Sequence, residues 1–284
     1  MRRNANMAAD SSLDAFNIWN MIVGRYSSCA LTYESDKLIA IAGLASKMEK
    51  EIKSQYLAGL WRKHLAYQLL WNIRGRTAEA PRLRTREYIA PTWSWASITA
   101  YIENACQVHF ADERDIIISI SSVSVELLSA YPFGQVKGGR LELEGYLAQM
   151  NVILVESKNN RGLYNLCIGG VRAGNGILDA DSDEPTTRDD LYYLPIRYVP
   201  DPPVKINADG SRELSPQVVG IVLQSRGEGN ALEFTREGRF ELISAVDNFQ
   251  AACRQFNRGR GVDEDGREPF EVSQWEYTHS ITIF

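Results

Sequence analysis

The hydrophobic period of this chain changes once, and that change limits the fold more than any other feature. Up to Trp71, apolar residues recur every three or four positions, the spacing of one helix face. Phe16, Trp19, Val23 and Tyr26 form a first stripe, with Ser11 and Asp14 placed as a capping pair ahead of it. Leu38, Ile41, Ala45, Met48 and Ile52 form a second, with Ser35 as the expected cap and Asp36 beside the positive helix end. Leu57, Leu60, Trp61, His64 and Trp71 form a third. Gly43 and Gly59 fall inside these patterns, where glycine costs about 1 kcal/mol relative to alanine. Close helix contact is the expected compensation.

Beyond Pro91 the period becomes two. Trp93, Trp95 and Ser97 are expected on one side of a strand. Ile116, Ile118 and Ile120 alternate with their neighbours, then Val123, Val125 and Leu127 continue in the opposite phase. The slip at Ser121 and Ser122 predicts a β-bulge. Leu141, Leu143 and Leu147 continue the alternation. Further strands are expected over 163–168, 191–198, 218–224, 231–235 and 280–284, with one helix near 245–256. Polar stretches over 173–190, 200–217 and 257–269 read as surface loops. The expected fold class is α+β. A helical segment (1–75) leads through an arginine-rich linker (76–92) to a β-rich domain (93–284), a mostly antiparallel sandwich or partly open barrel. The loop stretch over 72–91 that includes most of this linker holds Arg74, Arg76, Arg82, Arg84 and Arg86 against only Glu79 and Glu87.

Bulk properties narrow the functional classes. With 284 residues the chain can form a substantial core without staples. A net charge of −5 gives the whole protein no electrostatic reason to hold nucleic acid or acidic lipid. Cys29, Cys106, Cys167 and Cys253 are too far apart in sequence for a CxxC metal or redox motif. They fit single thiols in a reducing compartment. The basic start of the chain has no apolar run behind it, and no window reaches the ~18 apolar residues of a membrane helix. A cytoplasmic location is expected.

No residue set in this sequence demands a reaction, a cofactor or a metal. Asp179, Asp181, Asp183 and Asp190 have partial calcium-loop spacing, but Glu184 stands where glycine is needed and Pro185 where a carbonyl is used. A solvated acidic loop is the simpler account. His64 lies on an apolar stripe and is expected to be a hydrogen-bonded, partly buried side chain, while His109 and His279 have no recognisable partners. Glu142 and Glu144 share a strand face, which is ordinarily its wet side; a glycosidase would need two acids at a set separation. Gly169, Gly170, Gly174 and Gly176 match no phosphate-binding spacing, and the run Arg258-Gly259-Arg260-Gly261 is followed closely by acids. Trp93 and Trp95 are expected to fill the seam between helices and sheet, with a sugar-stacking platform as the alternative.

Several blocks carry a resemblance. Trp19, Ile22, Val23, Tyr26, Ser27, Leu31, Thr32, Asp36, Lys37, Leu38, Ala40, Ile41, Gly43, Leu44 and Ala45 make a first block. YLAGLW over 56–61, LLW over 69–71 and APTWSWAS over 90–97 follow. Together they resemble the region after the conserved domain in fungal heterokaryon-incompatibility (HET) domain proteins, with Thr92 in place of serine. GRLELEGYL, DLYYLPIRY, VVGIVLQ and FTREGRFEL resemble, more loosely, the strands that end such proteins. The family's LSYxWG and WIDxxCINQ motifs are not in this sequence.

The resemblance implies a non-enzymatic accessory region, linked to non-self recognition and incompatibility cell death. It would act by intramolecular docking on the HET domain or by binding a protein partner, and the stripes of the first two helices are the expected docking surface. Truncation of a longer gene product is one account of the missing motifs. The alternatives are a carbohydrate-binding module using Trp93 and Trp95 and a hydrolase using carboxylates of the β-region.

Overall fold

The structure is a computed structural model that describes residues 11–73, 83–85, 87–103, 113–149, 153–156, 163–168, 171–179, 191–199, 205–206, 212–213, 217–226, 232–242 and 279–284. Two long helices open it, α1 (Ser11–Ser27) and α2 (Lys37–Ile52). Phe16, Trp19 and Val23 on α1, and Leu38, Ile41, Ala45, Met48 and Ile52 on α2, all face the core. Ser35 does not cap α2. It sits inside a 3-10 turn over Glu34–Asp36, and Asp36 takes the cap position without a side-chain cap bond. The 3-10 turn runs directly into the helix, so the Lys37 N–H, a first-turn donor of α2, bonds the Glu34 carbonyl instead of a capping side chain.

The expected third helix is absent. Tyr56–Leu57 (β1) and Leu60–Trp61 (β2) form a tight hairpin, followed by one helical turn, α3 (Leu65–Gln68). Ala58 and Gly59 turn the chain with φ of 49° and 102°, the positive pair that a type I′ turn needs. Gly59, expected inside a helix, is the residue that ends the helical pattern. Tyr56 to Trp61 are buried without interruption, so their period carries no single face.

Short pairings follow: β3 (Asn72–Ile73) with β6 (Ile102–Glu103), and β4 (Leu83–Arg84) with β5 (Ile98–Thr99). Arg84 therefore belongs to a paired strand within the expected linker. Trp93 and Trp95 lie on no strand. Ser94 accepts the Ala96 N–H at 3.0 Å and caps a 3-10 turn over Trp95–Ser97, because a serine here offers the backbone a local partner that alternation cannot reveal.

The rest is strand: β7 (Ser119–Leu127), β8 (Val136–Gly145), β9 (Ala148–Gln149), β10 (Ile153–Glu156), β11 (Leu163–Ile168), β12 (Val171–Leu178), β13 (Leu191–Val199), β14 (Lys205–Ile206), β15 (Arg212–Glu213), β16 (Gln217–Ser225), β17 (Glu233–Leu242) and β18 (His279–Ile283). Ten of these form one open sheet with the path β10-β11-β12-β17-β16-β13-β9 and a branch from β17 through β18 and β8 to β7. Among the described pairings, only the short β17–β18 one is parallel. The architecture is α+β, as expected, with helices preceding a mostly antiparallel sheet. The register of β7 on β8 slips between Ile120 and Ser122, at the expected bulge. Two expected loops contain strand: β12 runs to Leu178, and β14 and β15 pair. The helix expected near 245–256 lies outside the described residues.

β13 and β16 are buried on both faces. Leu194, Ile196, Val219, Ile221 and Leu223 feed one core, and Leu191, Tyr193, Val218 and Val222 a second. The first core also contains Trp19, Trp61, Trp71, Trp93 and Trp95. One apolar body thus runs from α1 through the tryptophan turn into the sheet, and the expected boundary at 76–92 does not divide it.

Candidate functional site

A single loop carbonyl organises the tryptophan-rich front. Gly59 O accepts the indole N–H of Trp19 (3.1 Å) and of Trp95 (2.9 Å). Next to it, Ser94 Oγ donates to Ala58 O at 2.5 Å. Trp71 Nε1 donates to Trp93 O at 2.9 Å. Gln68, buried, accepts from Trp61 N–H (2.9 Å) and donates to the Trp61 and Lys63 carbonyls (both 2.8 Å), closing the hairpin onto α3. A side chain on Gly59 would sit 2.7 Å from the Trp95 indole nitrogen, so the hairpin and the tryptophan turn approach only through glycine. With Trp93 and Trp95 at 0% and 1% exposure, neither indole offers a face to a sugar. They fill the seam between helices and sheet.

A buried ion pair ties this front to the sheet. Arg236 on β17 and Asp179, just past β12, are 0% and 1% exposed, and the Arg236 guanidinium bonds the Asp179 carboxylate. The guanidinium lies over the Trp71 ring, 3.4 Å from its centroid, and donates to the Trp71 carbonyl at 2.6 Å. Arg84 bonds the Arg236 carbonyl and reaches Glu237 at 2.9 Å. Thr92 Oγ1 accepts the Arg236 N–H at 2.9 Å and donates to the Phe284 carbonyl. Burial pushes the Asp179 carboxyl up to about 6, even with Arg236 beside it, and pushes the Arg236 guanidinium down. The pair is a structural lock: neither residue lines a described cleft, and the two charges bond each other, with Asp179 Oδ1 and Arg236 Nε left buried without a hydrogen-bond partner among the described residues. Asp179, the first residue of the calcium-like spacing, is thus committed to Arg236, and 180–190 lie outside the described residues. Sequence reasoning passed over Arg236, although a signal was present. Phe234, Arg236, Phe240 and Leu242 share the inward parity of β17, and a charge among them marks a buried partner.

Two of the clefts on the described surface hold candidate side chains. The larger, about 320 Å3, is lined by Arg62, His64, Leu65, Tyr67, Glu113 and the isoleucines at 116, 118 and 120. His64 begins the α3 turn in left-handed backbone with φ of 56°. Its ring meets Phe16 edge-on at 5.2 Å, and its Nδ1 lies 3.5 Å from the exposed Glu113 carboxylate. The second cleft, about 180 Å3, is lined by Tyr26, Cys29, Glu34, Lys37, Trp95, Ile98 and Thr99. Lys37 is buried there and donates to Ile98 O at 2.5 Å. Burial pushes its amine down to about 8, with Glu34 opposing the shift. Tyr26 donates to the Lys37 carbonyl at 2.7 Å, and burial raises its phenol to about 12.

The remaining sequence candidates fall at several places in the fold where they are described. Glu142 binds Ser122 (2.6 Å) and Arg140 (2.8 Å) on the outer face of β8. Each cleft holds one acid, so the facing pair that a glycosidase needs occurs in neither. Gly174 allows β17 to approach: a side chain there would meet the Glu241 carbonyl at 2.0 Å. His279 is buried in β18. Cys29 and Cys167 are free thiols, while Cys106, Cys253 and His109 lie outside the described residues. No group of three metal-type ligands occurs among the described residues, and no helix there is long and apolar enough to cross a membrane. Compared with known proteins, the chain matches no family model, no curated protein and no solved structure.

Proposed function

We propose that this chain is a non-enzymatic accessory region of a fungal heterokaryon-incompatibility protein, acting inside the cell by docking on a HET-type domain. The motif resemblance supports the family, since its residues Trp19, Gly59, Trp61, Trp71, Trp93 and Trp95 meet at one seam. The stripes first expected to dock are buried in this chain's own core, so the docking surface moves to the outer side of the same helices. One observation carries this choice. Of the nine exposed large apolar side chains among the described residues, Ile18 (50%), Met21 (60%), Ile39 (48%) and Leu44 (45%) lie on α1 and α2. Ile18 and Met21 are three positions apart on α1. On α2, Ile39 and Leu44 flank Gly43, whose Cβ position meets nothing within 4 Å. That is an open notch between apolar shoulders, a shape that accepts a partner's side chain.

The test is direct. The purified chain is mixed with a HET-type domain carrying the LSYxWG motif, and association is followed by sedimentation velocity. Met21→Glu with Leu44→Glu should weaken the complex by about tenfold or more while leaving the melting temperature in place. No association at about 100 µM, or a complex indifferent to both substitutions, would remove the proposal. Self-association through the same residues would assign the surface to a second copy of the chain instead.

A further inference from the structure

We propose that the smaller cleft is a carbonyl-binding site in which the Lys37 amine captures a short apolar aldehyde as an imine. Four observations lead there. The Lys37 side chain is buried, and its described polar partner is a backbone carbonyl, that of Ile98, rather than a carboxylate. Lys37 is the first residue of α2, where the positive helix end disfavours an ammonium and favours the free amine. The walls beside it are Ala30, Leu31, Trp95, Ile98 and Ala100, which suit an apolar body. A space of about 180 Å3 equals about six water volumes, so it admits a chain of about that many heavy atoms.

The charges around the amine select against other ligands. Tyr26 and Cys29 come from α1 and the loop after it, Glu34 and Asp36 from the 3-10 turn, and β5 brings only Ile98 and Thr99. The Glu34 carboxylate, held by the Thr99 hydroxyl at 2.6 Å, repels an anionic ligand and leaves a neutral carbonyl unopposed. The amine's partial neutrality near pH 8 supports the same chemistry. In the step itself the Nζ lone pair attacks the carbonyl carbon, a C–N bond forms, and the π pair moves to oxygen. The carbinolamine then loses that oxygen with both amine protons as water, leaving the C=N bond. No oxidant or reductant is consumed.

The experiment uses the whole chain with butanal at substoichiometric concentration, borohydride trapping and peptide mass spectrometry. Lys37 should carry the reduced adduct at about tenfold or more over Lys47, Lys50 and Lys53, the exposed lysines on and just past the same helix. Cys29→Ala should leave the Lys37 adduct in place. Ala100→Phe, which fills the cleft but keeps the amine, should abolish it with the melting temperature retained. Labelling spread evenly over the four lysines would overturn the proposal. So would a Lys37 adduct that persists in Ala100→Phe, because the cleft would then not be the route to the amine.

Discussion

The tryptophan front (residues 11–103) and the ten-stranded sheet solve the same problem in different ways. In the front, much of the backbone is irregular, so its carbonyls are satisfied by side chains. Gly59 O takes two indoles, Ala58 O takes Ser94, and Gln68 serves both backbone polar groups of Trp61. Each such bond needs one residue type at one position. In the sheet, strands satisfy each other's backbone, and a position needs only to be apolar and inward, as the alternating burial of β17 illustrates. Residue identity is therefore constrained more tightly in the front than in the sheet. Arg236 is the exception, a sheet residue as particular in its contacts as any tryptophan, because it reaches out of the sheet to Trp71.

The largest effect should come from splitting that exception. Asp179→Asn or Arg236→Met leaves one buried charge or its polar remainder without a partner and should cost about 3–5 kcal/mol in urea unfolding. The double variant Asp179→Leu with Arg236→Met should recover most of the loss. If it were as unstable as the single variants, the ion pair would be adding net stability, and the sheet would depend on residue identity more than the contrast allows.

Next in size is a matched pair of one-methyl changes. Gly59→Ala adds a methyl at φ of 102° against the Trp95 indole and should cost about 3 kcal/mol or more. Ile221→Val, removing a methyl from the fully buried centre of β16, should cost about 0.5–1.5 kcal/mol. Equal losses by chemical denaturation would erase the distinction between the two regions.

A further contrast lies in the pH dependence from Lys37. Its folded-state amine sits at about 8, below the ordinary lysine value, so between there and 10.5 the unfolded chain holds more protons than the folded one. Stability from this group therefore rises with pH across that window, by about 1–3 kcal/mol. Below pH 8 the buried ammonium is a standing cost. Lys37→Met should remove the rise; a variant that retains it would place its origin in another group.

Much of the sheet is legible in the sequence. Burial of one face leaves a period in β7 and β8 and marks the bulge at Ser121–Ser122, while the strands over 191–198 and 218–224, buried on both faces, read as nearly continuous apolar runs. The front was misread where side chains bond backbone. Leu57, Leu60 and Trp61 have helical spacing by coincidence, and the positive φ at Ala58 and Gly59 overrides it. Trp93 and Trp95 alternate, yet Ser94 bends them into a 3-10 turn. Of the candidate clefts, neither was foreseen as such, because Lys37, Tyr26 and Thr99 are brought together only when α1, α2 and β5 pack.

By itself the sequence determined which residues leave water, since apolar transfer depends on composition and local period. It also showed that helices give way to strands, but the hairpin over Tyr56–Trp61 moves that change earlier than the apolar period indicates. The tertiary structure alone decided which polar groups share that interior. A hydrogen bond or ion pair joining Trp71, Asp179 and Arg236 depends on distances set by every element between them, and no local pattern records a distance.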